Sequence, residues 1–265
     1  MSSTESLASL DGVIMPASEA TIPATDQGLI RGDGVFEVIR LYDGVPFAFD
    51  EHLERLERSA RNLRLPVDLE AARADAHRLI AEAGTGPAHE ALRMIFTRGG
   101  RRLLMTEPMH VYPEPIRLAA ITYAPTVILD GIKSLSYAAN MLAGRLAVEA
   151  GFDEALLVTP DGYVLEAPTS SIFWIEGGEL FTPPLSDHIL ASITRGVVIE
   201  VTGARERRCP LADLRRADEV FLASTMREVL PVSAIDDTAF AAPGPVSARI
   251  AGEVADHIRA RLAGG

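Results

Sequence analysis

The sequence is nearly without lysine. Lys133 is its single lysine, although lysine and arginine together number 25. The cationic side chains are therefore arginines almost throughout. Several of them, Arg31, Arg55, Arg93 and Arg195, fall in apolar neighbourhoods, where a planar guanidinium suits the holding of small anions. Cysteine is equally scarce: Cys209 stands alone, which excludes an internal disulfide and fits a reducing cytoplasm. Six histidines show no ligand spacing, and with one cysteine they give no zinc pattern, so no metal site is expected. Positive charge is short as well. A formal net charge of −12 offers no basic face to nucleic acid. No apolar run reaches the length needed to cross a bilayer, and no membrane partner is expected. The opening "MSSTESLASL" has no basic region followed by an apolar stretch. It argues against a signal peptide and reads as a short frayed tail.

What is present is a chain of 265 residues, 48% apolar, enough for one large domain or two of ordinary size. "GVFEVIRLYDGVPFAF" (34–49) alternates as a hairpin turned at Asp43-Gly44. "DEHLERLERSARNLRL" (50–65) carries Leu53, Leu56, Ala60 and Leu63 at helical spacing, with Asp50 as its cap. "LEAARADAHRLIAEAG" (69–84) is a second helix ending at glycine. "ALRMIFTRGG" (91–100) and "IRLAAITYAP" (116–125) read as strands. Beyond Ile132 a helix (134–150) leads into short strands turned at Asp161-Gly162 and Gly177-Gly178. A helix at 193–203, the strand "DEVFLAST" and a last helix near 246–262 follow. The expected organisation is an α+β fold with an N-terminal α/β domain (1–122), a linker (123–131) and a strand-rich C-terminal domain (132–265).

Five features bear chemistry. Lys133 sits at the seam between an apolar strand-like run and a helix. A desolvated lysine loses its proton more readily and can form a Schiff base. "SITRG" (192–196) opens a helix in which Ser192 can cap, and the amides of Ile193 and Thr194 can hold a phosphate. "ASTMREV" (223–229) brings the hydroxyls of Ser224 and Thr225 to the end of a strand. Glu166 lies within strand-like sequence, where a carboxylate can face inward towards a cationic ring nitrogen. Arg55 can reach inward from its helix to a phosphate. Taken singly, each is by default a solvated lysine, a plain helix start, a surface arginine or a carboxylate facing water. Together they are what pyridoxal 5′-phosphate requires: an amine for its aldehyde, an anchor for its phosphate and an acid at its pyridine nitrogen.

At these residues the chain resembles the class IV, fold-type IV pyridoxal-phosphate enzymes. These include D-amino-acid transaminases, branched-chain aminotransferases and aminodeoxychorismate lyase. The resemblance covers nearly the whole chain, from "DQGLIRGDGVFEVIR" (26–40) through "GIKSLSYAAN", "AGFDEALLVTPDGYVLEAPTSSIFW", "LFTPP", "ITRG" and "ADEVFLASTMREVLPV" to "GPVSARI" (244–250). It implies a small N-terminal α/β domain and a larger C-terminal pseudo-barrel. It further implies a homodimer and small-molecule amino acid and 2-oxo acid substrates. By position it implies Lys133 as the Schiff-base lysine, Glu166 as the acid at the pyridine nitrogen and Arg55 at the phosphate. Ile193, Thr194, Ser224 and Thr225 fall at the remaining phosphate contacts. Ser171, beside the cofactor, stands where the family often has asparagine.

"GDGVFEVIRLYDG", with Phe36 and Glu37, looks most like the D-amino-acid transaminases, which favours amino transfer from a D-amino acid to pyruvate or 2-oxoglutarate. The alternatives are the lyase reaction and an L-branched-chain transaminase. The loop after "TRG" lacks the histidine that D-amino-acid transaminases use for the substrate carboxylate, and His110 lies too far on. Arg31, Arg93 and Arg98 are the candidates to replace it, with Phe36 and Met226 lining the substrate side.

Overall fold

The computed structural model describes residues 5–264. They divide into two units, one running to His110 and including Gly131–Tyr137, the other made of Val111–Asp130 and the chain from Ala138 onward.

The first unit is an antiparallel sheet with helices on one face. Its elements are β1 (Leu7–Leu10), β2 (Val13–Pro16), α1 (Gln27–Arg31), β3 (Gly34–Tyr42), β4 (Val45–Pro46), α2 (Phe49–Asn62), α3 (Leu69–Ala83), β5 (Ala91–Thr97) and β6 (Arg102–Glu107). The strand order is β2-β1-β6-β5-β3-β4, with every neighbouring pair antiparallel. The period-2 pleat sends Val35, Ile39, Leu92, Met94, Phe96 and Leu104 to one face. There they form one core with Leu53, Leu56, Ala60, Ala72, Ala76 and Leu79 of α2 and α3. Leu56 is fully buried, and truncating such a side chain to alanine costs about 2–5 kcal/mol.

Three local expectations change here. Residues 7–10 are not a frayed tail but an internal strand, turned into β2 by Asp11 and Gly12, both at positive φ. That Asp-Gly pair between two apolar runs is a hairpin signal. Residues 1–4 of the expected tail lie outside the described residues. Asp50 is in the first turn of α2 rather than at its cap, which is Ala48 in the left-handed region. The stretch after "TRG", expected as a loop, is β6.

The second unit contains β7 (Ile116–Thr122), α4 (Ala138–Glu149), β8 (Glu154–Val158), β9 (Ser171–Glu176), β10 (Glu179–Thr182), α5 (Ile193–Thr202), β11 (Arg205–Glu206), α6 (Leu211–Leu214), β12 (Glu219–Ser224), β13 (Glu228–Ile235), β14 (Thr238–Ala239) and α7 (Pro245–Gly264). Its sheet runs β11-β10-β9-β12-β13-β7-β8, with β14 on β13. One face builds a core from Ile116, Leu118, Leu156, Ile172, Trp174, Val220, Leu222, Leu230 and Val232. The other carries Ala119, Ala155 and Leu157 against Ala143 and Ala147 of α4. β7 and β8 are parallel neighbours, and α4 lies between them in sequence.

The division differs from the expected boundaries at 122 and 132. β7 belongs to the second unit because it pairs with β13 and β8. Gly131–Tyr137 belongs to the first because Val35 bridges Ser134. Among the described residues no helix is long and apolar enough to cross a membrane.

Candidate active site

Lys133 is fixed through its backbone. Its carbonyl accepts from Phe36 N at 3.1 Å, and Leu135 N donates to Gly34 O at 2.9 Å. Its own N–H donates to Ser59 Oγ at 3.2 Å. The segment thus runs along β3 as a short added strand, and Gly34 permits the approach. A Cβ at Gly34 would meet Phe96 O at 2.3 Å and Leu135 Cδ1 at 2.6 Å. The Lys133 amine, Nζ, stands 4.3 Å from the Phe36 ring centroid and 5.7 Å from that of Tyr137. The two rings meet edge to face at 5.3 Å. Stacking on two ring faces stabilises a cation and limits the amine's directions.

Behind this strand, on the face turned to α2, lies a buried charge cluster. Glu37, wholly buried, accepts from Arg55 Nε at 2.7 Å and from Arg55 Nη2 at 2.6 Å. His52 Nδ1 lies 2.8 Å from Glu37 Oε2. Burial by itself would raise the Glu37 carboxyl. The Arg55 guanidinium and the hydrogen bonds of Arg55 and His52 overcome that, and hold it at about 2. His52 is pushed down by burial against the opposing pull of Glu37. It is therefore neutral at pH 7 and donates from Nδ1 to the carboxylate. Its Nε2 is buried without a partner among the described residues. His52 was missed by the sequence reading. Its signal was the spacing of three from Arg55 on the apolar stripe of α2.

In the second unit Glu166 sits in an extended segment bonded to β8 rather than in a named strand: Leu157 N donates to its carbonyl at 2.9 Å. Its Oε1 accepts from Leu190 N at 3.1 Å. Burial, and then the charge of Glu166, raise the Tyr123 hydroxyl. Ser192 caps α5, its Oγ accepting from Arg195 N at 3.3 Å. The amides of Ile193 and Thr194 have no partner among the described residues, as the first turn of a helix leaves them. The hydroxyls of Ser170 and Ser171 are buried and unpartnered among the described residues. Ser224 ends β12 nearly buried, and Thr225 and Met226 follow in a half-buried turn. That turn is tied down by Arg227, which pairs with Glu154, donates to Thr169 Oγ1 at 3.2 Å and lies over the Tyr112 ring at 3.9 Å.

The substrate candidates separate. Arg98 is committed to the fold: it bonds Asp33 through Nε and Nη2, Arg64 O through Nη1 and Leu63 O through Nη2. Arg93 holds Glu107 in a two-point pair and stacks on Phe36 with 5.7 Å to the ring centroid. Arg31, in the last turn of α1, is exposed and has no side-chain partner among the described residues. Among the described residues no cluster of histidine, cysteine and carboxylate groups could hold a metal ion.

Residues 34–235 match the model of the Amino-transferase class IV family. A putative branched-chain-amino-acid aminotransferase of Methanocaldococcus jannaschii is 34% identical over 253 residues, 86% of this chain and 87% of that protein. A D-alanine aminotransferase of Listeria innocua is 32% identical over 269 residues, 89% and 91% of the two chains. A hypothetical aminotransferase from Mycobacterium tuberculosis, solved in its PLP-bound form, superposes with a TM-score of 0.85 at 29% identity. The match covers 96% of this chain and 98% of that one.

The residues present fit that cofactor. The unpartnered amides of Ile193 and Thr194 suit its phosphate, and Glu166 suits a protonated ring nitrogen. The orphaned hydroxyls of Ser170 and Ser171 are polar atoms that a polar ligand can satisfy, and Lys133 is the one side-chain amine in the chain. These features and the family match lead to one conclusion: the chain belongs to the class IV aminotransferases, a fold-type IV family whose cofactor is pyridoxal 5′-phosphate.

Proposed function

We propose that this aminotransferase moves the amino group of a D-amino acid to a 2-oxo acid such as pyruvate or 2-oxoglutarate. The carrying observation is the Phe36–Glu37 pair on β3, one residue turned to the Lys133 amine and the next to Arg55 and His52. When bound, the cofactor supplies an aldehyde for condensation with amines and a ring that withdraws electrons from the substrate's α-carbon. Lys133 Nζ takes the α-proton and later returns it, so one amine serves as base and then acid. Phe36 and Tyr137 restrict where that amine points. Glu166 holds a proton at the ring nitrogen by its negative charge. The amides of Ile193 and Thr194 and the hydroxyls of Ser224 and Thr225 hold the phosphate, while Arg55, expected there from the sequence, is committed to Glu37. Arg31, the candidate with no side-chain partner among the described residues, takes the substrate carboxylate.

The test is a half-reaction panel, in which holoenzyme is mixed with single D- and L-amino acids and the cofactor spectrum is followed. Conversion by D-amino acids alone supports the proposal, and conversion by L-leucine or L-valine alone replaces it with the branched-chain reading. That second reading draws on the M. jannaschii relative. A lyase would release pyruvate from aminodeoxychorismate with no amino acceptor present.

The same proposal includes a cytoplasmic homodimer. α4 turns Ala143 and Ala147 inward and leaves Met141, Leu142, Leu146 and Val148 exposed. This inversion suits burial against a second copy. Light scattering that gives one chain's mass across micromolar concentrations refutes the dimer.

A further inference from the structure

The sheet face of the first unit opposite α2 and α3 has an ordered composition. Strand register places Phe36, Ile95 and Leu103 in one row, Val38, Arg93 and Met105 in the next, and Arg40, Ala91 and Glu107 in a third. The face is apolar apart from three charges. Arg40 lies over the Tyr42 ring at 4.5 Å. Arg93 and Glu107 take each other: Nε to Oε1 is 2.5 Å and Nη2 to Oε2 is 2.9 Å. Two parallel N–H bonds to one carboxylate are also how an arginine grips a substrate carboxylate. The pair is close to the chemistry, because the Phe36 ring that carries Lys133 Nζ at 4.3 Å lies 5.7 Å from the Arg93 guanidinium.

We propose that Glu107 determines substrate class by filling the carboxylate fork of Arg93. With Glu107 in place, a second carboxylate on a substrate side chain meets an arginine already neutralised, and a like charge beside it. The face then selects amino acids and 2-oxo acids with one carboxylate and a small or apolar side chain over dicarboxylic ones, so of the two acceptors proposed it favours pyruvate over 2-oxoglutarate. Glu107 touches Arg93 and not the reacting atoms, so it is a specificity-determining residue rather than a catalytic one. The inference deepens the transaminase reading and rests on it.

Two measurements on holoenzyme test it. In the first, kcat and KM are compared for D-alanine and D-glutamate in wild type, Glu107→Gln and Glu107→Asp. Wild type is expected to prefer alanine. Glu107→Gln removes the carboxylate and lowers KM for glutamate about tenfold, the scale of one charge-assisted interaction, with kcat and the alanine parameters within about twofold. Glu107→Asp keeps a carboxylate and retains the preference. In the second, calorimetry compares glutarate and propionate, unreactive acids of two carboxylates and one. Glutarate is expected to bind Glu107→Gln about tenfold tighter than wild type, and propionate equally to both. Equal changes for both acids, or a wild type that already prefers glutamate and glutarate, overturn the proposal. A wild type that converts no amino acid refutes the transaminase reading. The glutarate comparison still judges Glu107 in that case.

Discussion

The Glu37 carboxylate gives the most demanding test of how the first unit is held together. Glu37 is wholly buried, and its carboxyl is brought from 4.5 to about 2 by Arg55 and His52 against the cost of burial, a shift worth roughly 3 kcal/mol at neutral pH. Replacing it by glutamine leaves Arg55, 5% exposed, without its counter-charge, and breaking a buried pair from one side costs about 3–5 kcal/mol. The two routes agree on a loss near 3 kcal/mol.

The assay must read the first unit alone. Amide exchange over residues 34–62 does so, and an opening energy lowered by roughly 3 kcal/mol speeds exchange about a hundredfold. The only tryptophan, Trp174, lies in β9 of the second unit, so its fluorescence reports on that unit separately. The sign of the pH effect is fixed. Between about 2 and 4.5 the unfolded chain binds more protons at this group than the folded one, so stability is present above 4.5 and is lost as pH falls towards 2. The gap between wild type and Glu37→Gln therefore shrinks on acidification, to roughly half its neutral value by about pH 3. A Glu37→Gln protein that exchanges at wild-type rates at pH 7 refutes the reasoning. So does a gap that widens in acid.

Lys133→Ala abolishes turnover, and borohydride treatment of wild-type holoenzyme tags residue 133. Because the chain has one lysine, a tag found by peptide mass mapping at any other site defeats the assignment. Arg31→Ala raises KM for D-amino acids far more than for uncharged amines, and equal effects on the two remove Arg31 from the carboxylate. Ser192→Ala costs about 1 kcal/mol as a lost helix cap and raises the dissociation constant of pyridoxal phosphate more than that of pyridoxal. An equal rise for both places the effect away from the phosphate.

The legible parts of the fold and site are those with local signatures. α2 and α3 announced themselves by apolar spacing, and Ser192 by its place before a helix. Lys133 stood out as a singular residue at a seam. Other features depend on partners distant in sequence. Nothing near Gly131–Tyr137 encodes its pairing with β3, since Val35 and Ser134 meet across about a hundred residues of chain. β6 was obscured because "RRLLMTE" lacks strict alternation. The strand is paired on both sides, to β1 and β5, so its register rests on neighbours and not on its own pattern. Arg93 and Arg98 were indistinguishable as residue types in apolar surroundings. The partners decide between them: two backbone carbonyls and an aspartate commit Arg98 to the fold.

Those partners also bear on how the first unit handles anions. Two of its arginine forks already carry a carboxylate of the chain: Arg55 holds Glu37, and Arg93 holds Glu107. An arginine placed beside an apolar face is costly to leave unpaired, and an internal carboxylate removes that cost. Anion binding at either arginine is then an exchange of carboxylate for ligand, and its strength follows from how tightly the internal partner is held. Glu37, wholly buried and bonded from two side chains, yields little. Glu107, with a quarter of its side chain exposed, yields more readily. Arg31, with no side-chain partner among the described residues, stands outside this exchange. On that ordering, added sulfate or acetate should screen Arg31 first, Arg93 next and Arg55 last. Competition of these ions with substrate should therefore be lost in Arg31→Ala and strengthened in Glu107→Gln.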